Sequence, residues 1–314
     1  MRTSSVIRFL AALGLIAFMA FTQQYPLKQQ TEKLVRGPVR IDKVKDGLYV
    51  IRGPFVPCAT RGCKPGGPDD GLIHEPGDVA LRVTPDGLIL IDDKYPENVD
   101  DVLAAVKSVS NQPIKYLLNT HHHGDHASGN VKIREMGINI IAHKNIRENF
   151  LRIKQPGEPN ITFADHAAVY LGGVEVQLMW LGRGHTNGDT VIYFPDLKTV
   201  HTGDLIIDAM PVIDYAGGGS AVEFIKTIDN LLKIDFDTMI PGHGRVMNKD
   251  DVRAYRARFA EMNRRMRELA RKKVPKSQVQ AQLKLDDLGW AHSVSTSAWA
   301  GTSLDKYYDE MAAQ

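Results

Sequence analysis

A chain of 314 residues with 43% hydrophobic and 24% charged side chains has the composition of a globular protein, which excludes a disordered or fibrous one. The length suits one large domain or two small ones and buries enough apolar surface to fold without a disulfide framework. A formal net charge of +2 with no long basic run excludes an electrostatic preference for nucleic acid.

Arg2 and Arg8 precede an apolar run from Phe9 to Phe21, with the small residues Ala17, Ala20 and Thr22 near its exit. This order reads as a secretory signal peptide over residues 1–22. The run falls short of the roughly 20 apolar residues of a membrane helix, so no stable span is expected once the signal is cleaved. The alternative is an uncleaved N-terminal anchor, because no Ala-x-Ala site is clean. Either way the body of the protein is expected outside the cytoplasm, periplasmic or secreted. Residues 23–38 read as a linker.

Val39–Val44 and Leu48–Arg52 alternate apolar and polar side chains, as half-buried strands do. The Pro- and Gly-rich stretch Pro54–Pro76 reads as a long irregular loop. Within it Cys58 and Cys63 are expected to form a local disulfide in an oxidising compartment. A hairpin follows, Asp78–Val83 and Leu88–Ile91, turning at Thr84-Pro85-Asp86-Gly87. Apolar spacing predicts a helix over Val99–Val109, opened by Asp100 and Asp101, and Ile114–Leu118 is a short buried strand. Residues 128–136 and 144–153 are expected to be helical, with strand Ile138–Ala142 between them.

Strands then return at Ala168–Leu171, Val174–Trp180, Thr190–Phe194 and Lys198–Thr202. A helix starts at Ser220, where Ser220 and Glu223 suit a capping box, and the strand Thr238–Ile240 follows. Residues 39–250 form the expected main domain and 251–314 a helical extension packed on it. The extension comprises a long helix from about Asp250 to Lys273, whose Arg264, Arg265 and Arg267 suit a solvated face, and a short one around Ser303–Ala313. Strands and helices thus come in two successive sets, an α/β pattern in which helices outside two sheets satisfy both apolar faces.

The chemistry concentrates in His121-His122-His123-Gly124-Asp125-His126. In an extended loop residues two apart point the same way, so His121 and His123 can bind one ion together while His122 points elsewhere. Gly124 lets the backbone turn, freeing Asp125 and His126 for a second ion. Neutral imidazole with a carboxylate suits Zn²⁺. Further candidates sit in Gly-rich turns: His185 in Gly184-His185-Thr186, Asp204 in Thr202-Gly203-Asp204, and His243 in Pro241-Gly242-His243-Gly244.

These four elements in this order resemble the metallo-β-lactamase fold superfamily over roughly residues 40–250. The resemblance implies a four-layer αββα sandwich. It also implies His121, His123 and His185 on a first metal, Asp125, His126 and His243 on a second, and Asp204 bridging. Two zinc ions per chain are the implied cofactors, with iron or manganese as substitutes. The implied activity is hydrolysis of a small lactam, lactone, ester or thioester by a metal-activated hydroxide, which Asp125 helps to orient.

Departures narrow the branch. Asp204 stands where the β-lactamase branch with a similar Gly-His-Thr turn usually has Cys, and the Lys expected shortly after is missing. The carboxylate is similar instead to glyoxalase II, lactonases and arylsulfatase-like members. The alternatives are an iron-dependent persulfide dioxygenase and an exported metal-binding accessory protein without turnover. His74, His143, His166, His201 and His292 match no family motif and are expected to be structural, and His122 to support its ligand neighbours. Tyr215 and Gly217-Gly218-Gly219 are expected to border a small-molecule substrate. The oligomeric state is left open by the sequence.

Overall fold

The computed structural model describes residues 39–57, 72–74, 76–290 and 303–314. The expected signal peptide, the linker to residue 38, the Cys58–Cys63 pair and His292 lie outside the described residues. The first strands, β1 (Arg40–Lys45) and β2 (Leu48–Arg52), form an antiparallel pair. Where an irregular loop was expected, β3 (Phe55–Pro57) pairs antiparallel with β4 (Leu72–His74). Three residues are too few for alternation to show in sequence, and the surrounding Pro and Gly read only as turns.

Strands β5 (Val79–Thr84) and β6 (Gly87–Ile91) close the expected hairpin, with Thr84 opposite Gly87 and the Thr84 hydroxyl donating to the Gly87 carbonyl at 2.8 Å. Helix α1 (Val99–Val109) and β7 (Ile114–Leu118) follow as expected. The next helix differs: it begins inside the histidine run as α2 (Gly124–Ala127) and resumes as α3 (Asn130–Glu135). Between them Gly129 packs so closely on Asp93 and Val99 that an added Cβ would lie 2.5 Å from the Val99 side chain. Strand β8 (Asn139–His143), α4 (Lys144–Ile153) and a short β9 (Ile161–Phe163) complete this half.

The second half runs through β10 (His166–Leu171), β11 (Val174–Trp180), β12 (Thr190–Phe194), β13 (Thr199–His201), α5 (Ala221–Leu231), β14 (Thr238–Ile240) and β15 (Met247–Asn248). Ser220 caps α5 by accepting from the Glu223 N–H, but Glu223 turns to Arg183 instead of completing the expected box. The reciprocal box appears one helix later. Asn248 and Asp251 open α6 (Lys249–Arg271), followed by an unanticipated α7 (Lys276–Leu283) and by α8 (Leu304–Ala312). Of the three arginines expected on a solvated face, Arg264 is exposed and pairs with Glu261, while Arg265, also paired with Glu261, and Arg267, beside Met311, are half-buried. Among the described residues no helix is long and apolar enough to cross a membrane.

Apart from the β3-β4 pair, which forms a two-stranded sheet of its own, two sheets carry these strands, in the orders β1-β2-β5-β6-β7-β8-β9 and β10-β11-β12-β13-β14-β15. The wholly buried β6 shows why they stack. Ile89 and Ile91 pack against Val176, Leu178, Ile192 and Phe194 of the other sheet, while Leu88 and Leu90 face Val99, Val102 and Val106 of α1. Alternation along one strand thus feeds two apolar layers. On the far side Val191, Val200 and Met239 meet Phe224 and Ile228 of α5 and Tyr255, Phe259 and Met262 of α6. The result is the four-layer αββα sandwich. Its parallel runs, β6-β7-β8-β9 and β13-β14, send several strand C-termini to the same edge, where open α/β sheets place their sites.

Candidate metal centre

Each chemically active turn follows a strand at that edge. The 119–126 segment leaves β7, Thr202-Gly203-Asp204 leaves β13, Pro241-Gly242-His243 leaves β14, and His185 lies between β11 and β12. Buried strands hold these turns rigidly, so side chains far apart in sequence converge. His121, His123, His185 and Asp204 form one group and Asp125, His126 and His243 another, each with ligand-type atoms within 4.8 Å of one another. All seven sequence candidates are therefore brought together. Asp204 faces both groups. Its Oδ1 lies 3.1 Å from His126 Nε2 and 3.3 Å from His243 Nε2, and its Oδ2 lies 3.7 Å from His185 Nε2 and 3.9 Å from His121 Nε2.

The outer partners of the imidazoles decide which nitrogen looks inward. His185 Nδ1 donates to the Val212 carbonyl at 2.9 Å, leaving Nε2 for the centre. His126 Nδ1 donates to Asp92 Oδ2 at 2.8 Å, and His123 Nε2 donates to Asp214 Oδ2 at 3.0 Å. The Thr120 hydroxyl gives its proton to Asp92, so it accepts from His121 Nδ1 at 3.1 Å. The inward nitrogens then face one another: His185 Nε2 and His123 Nδ1 at 2.9 Å, His126 Nε2 and His243 Nε2 at 3.3 Å. His121 Nε2 is buried with no hydrogen-bond partner at all.

Facing lone pairs repel unless a cation lies between them. A proton relieves one pair only; a divalent ion relieves a whole group. Donors about 2.0–2.1 Å from a tetrahedral ion stand roughly 3.3 Å apart, so the spacing, the orphaned His121 nitrogen and the two-faced Asp204 fit metal ions.

The electrostatics agree. Burial, followed by the neighbouring His126, holds the His121 pKa well below the ordinary histidine value. Burial and then His123 lower that of His185 to about 4, so both stay neutral and able to ligate. His243 behaves oppositely. Burial resists its charge, but Asp204 and Asp125 outweigh burial and raise its pKa to about 10. Without an ion the carboxylates hold a proton on the second group, and metal uptake has to displace it.

Several supporting residues escaped the sequence reading. Buried Asp92 accepts from the Thr120 N–H at 2.8 Å as well as from the Thr120 hydroxyl and His126. The available signal was an Asp-Asp pair directly after the apolar β6. Lys94, fully buried at φ 66, donates to the Gly77 carbonyl at 2.5 Å. Burial lowers its pKa to about 8 against the opposing pull of Asp78, Asp125 and Asp92. Asp214 sits in an irregular loop that no motif marks. Its carboxylate accepts from His123 Nε2 and lies 3.6 Å from His122 Nε2. Replacing Asp214 with asparagine, which can present an N–H to His123, is expected to weaken metal binding about 10- to 100-fold. Titration of the variant with Zn²⁺ against a chromophoric chelator measures this.

Two of the other histidines are held in contacts away from the cluster. His143 stacks on Trp180 with centroids 5.3 Å apart and donates to the Ala164 carbonyl, while the buried His201 donates to the Asp78 carbonyl at 3.2 Å. His166 is exposed on β10. Tyr215, expected beside the substrate, gives its hydroxyl to Glu310 of α8 at 2.7 Å.

The comparisons agree with this geometry. Residues 74–243, more than half of the chain, match the family model of the metallo-β-lactamase superfamily. A metallo-β-lactamase type 2 from Bacillus sp. (strain 170) is 25% identical over 249 residues, 76% of this chain and 90% of that protein. The alpha subunit of 2,4-dinitroanisole O-demethylase from Nocardioides sp. (strain JS1661) is 25% identical over 135 residues, 42% of this chain; the match spans only 41% of that subunit's length. In fold, the metallo-β-lactamase FIM-1 from Pseudomonas aeruginosa, solved in a mono-zinc form, aligns with a TM-score of 0.58 at 17% identity, covering 72% of this chain and 96% of that one. With a family model matched over more than half its length and a histidine–aspartate metal centre at the expected edge of an αββα sandwich, this chain belongs to the metallo-β-lactamase superfamily of metal-dependent hydrolases.

Proposed function

We propose that the protein is an exported dinuclear zinc hydrolase acting on a small carbonyl substrate, a lactam, lactone, ester or thioester. The observation that carries the reading is the pair of inward-facing ligand groups with one Asp204 oxygen turned to each. Zinc held by these residues would supply Lewis acidity and would lower the pKa of a coordinated water from 15.7 to about 7.

The protein's part is to hold and orient. His121, His123 and His185 form one all-imidazole face, and Asp125, His126 and His243 a more anionic one. Asp214 and Asp92 keep His123 and His126 in the ligating tautomer. The Asp125 carboxylate, its Oδ2 3.2 Å from His243 Nε2, is partly open to solvent and can take a proton from attacking water. A carboxylate at position 204, in place of thiolate, favours the broader hydrolase branches over a dedicated β-lactamase, with β-lactam turnover as a side activity.

The test is an activity panel on natively purified protein whose metals have been counted. Lactams, lactones, thioesters, sulfate and phosphate esters and, given the demethylase relative, an aryl methyl ether make up the panel. About two zinc per chain with turnover of a carbonyl substrate supports the proposal. One iron with oxygen uptake on a persulfide replaces it with the dioxygenase reading, and bound zinc without turnover of any substrate replaces it with the accessory reading.

A further inference from the structure

Residues 251–314 lie beyond the span that matches the family model, yet one of their side chains reaches the loop on which the first ligand group leans. That loop, residues 212–220, holds two of the three histidines from outside. The Val212 carbonyl accepts from His185 Nδ1, the Asp214 N–H donates to the His185 carbonyl at 2.9 Å, and the Asp214 carboxylate accepts from His123. Farther along, the Ser220 N–H donates to the Gly184 carbonyl at 3.0 Å, beside His185. A displacement of the loop therefore moves His123 and His185 together, while His126 and His243 depend on Asp92 and on the turn after β14.

Glu310 of α8 closes this loop. Its Oε2 accepts from the Tyr215 hydroxyl at 2.7 Å and from the Ala221 N–H at 2.9 Å, and its Oε1 from the Ser220 hydroxyl at 2.5 Å. The carboxylate lies at the N-terminal end of α5, where orphan N–H groups and the helix dipole favour an anion. Such charge-assisted bonds are stronger than neutral ones. The arm that carries Glu310 is itself anchored: the Tyr307 hydroxyl donates to Asn263 Oδ1 at 2.5 Å, and Asn263 Nδ2 donates to the Ala221 carbonyl at 2.9 Å. Helix α8 is thus bound to both α6 and the start of α5.

We propose that Glu310 is a positioning residue for the His121–His123–His185 metal site, acting through the 212–220 loop and Asp214. The inference rests on the metal-binding reading above. Acid at position 310 takes up three donors that would otherwise leave the loop end untethered, and the tethered loop holds the His123 and His185 rings in their ligating poses.

The experiment uses the full chain stripped of metal and titrated with Co²⁺, whose visible absorption reports ligand number and geometry, and with Zn²⁺ against a chromophoric chelator. The wild-type protein should take up both ions; failure to do so overturns the metal-centre reading itself. Glu310→Ala should weaken one of the two sites about 10-fold, the low end of the range for groups bonded directly to metal ligands, since it acts one step farther out, and alter its Co²⁺ spectrum while the other site stays as in wild type. Glu310→Gln, which keeps an acceptor oxygen, should recover most of the loss. If Glu310→Ala fails to fold, Tyr215→Phe removes a single bond of the three and should produce the same one-sided change, several-fold in size. Wild-type spectra and affinities in the folded variants, or equal weakening of both sites, overturn the inference.

Discussion

Alanine at position 185 is expected to lower bound metal and hydrolysis together, activity by about 10²- to 10³-fold, the scale lost when a principal electrostatic stabiliser is removed. His185 Nε2 faces His123 Nδ1 at 2.9 Å and Asp204 Oδ2 at 3.7 Å. Its loss leaves the first group with two imidazoles and a shared carboxylate. That cuts the group from four candidate ligands to three, one of them shared with the second group, so its own hold on an ion falls to two imidazoles. The fold should survive, because the ring makes its bonds at the sandwich edge and not in the apolar layers. Metal analysis, turnover and thermal unfolding of His185→Ala measured side by side check this. Metal content equal to wild type would remove His185 from the ligand set.

The second large effect needs no loss of any chemical group. Gly242 packs so tightly on the bridging carboxylate that a Cβ there would lie 2.0 Å from Asp204 Oδ1 and 2.6 Å from the Gly203 carbonyl carbon. Real Cβ atoms do not approach so closely, and the second contact is backbone that cannot swing aside. Gly242→Ala must therefore displace Asp204, whose two oxygens face the two groups. A displacement of about 1 Å costs on the order of 10²-fold in rate, and the overpacking about 1–3 kcal/mol of stability.

Gly77 tells the same story from the other side, since its Cβ would sit 2.1 Å from the His126 ring. A control separates crowding from backbone strain: Gly137, at φ +78 with open space around its Cβ position, can be changed to alanine. Gly137→Ala should lose about 1–2 kcal/mol through its left-handed backbone and keep its metal. Activity and metal content of the two variants decide the matter; equal behaviour would show that lost stability, and not crowding of Asp204, is at work.

The metal centre was unusually legible because its ligands are of rare types in short local patterns. Histidines at 121, 123 and 126 with Asp125, and single histidines or aspartates beside glycine at 185, 204 and 243, are visible without knowing the fold. The strands that deliver them were legible for a related reason. Val174–Trp180, Thr190–Phe194 and Thr238–Ile240 have the expected limits, since side-chain alternation or a short apolar run between turns is itself a local signal.

What supports the centre was not local. Asp214 is an ordinary loop aspartate until the fold brings it to His123, 91 positions away, and Glu310 is an ordinary helix glutamate until it meets Tyr215, 95 positions away. Tyr215 is expected near the substrate because it follows the Asp204 strand; that its hydroxyl also meets a helix from the far end of the chain is nothing the local sequence shows. Likewise α2 starts within the histidine run, although three histidines and a glycine show no helical period there. Ligand chemistry is carried by residue type and spacing, so sequence alone supplied it. Ring orientation, tautomer and the tightness around Asp204 depend on which distant groups the stacked sheets bring within hydrogen-bonding range, and only the folded chain could decide those.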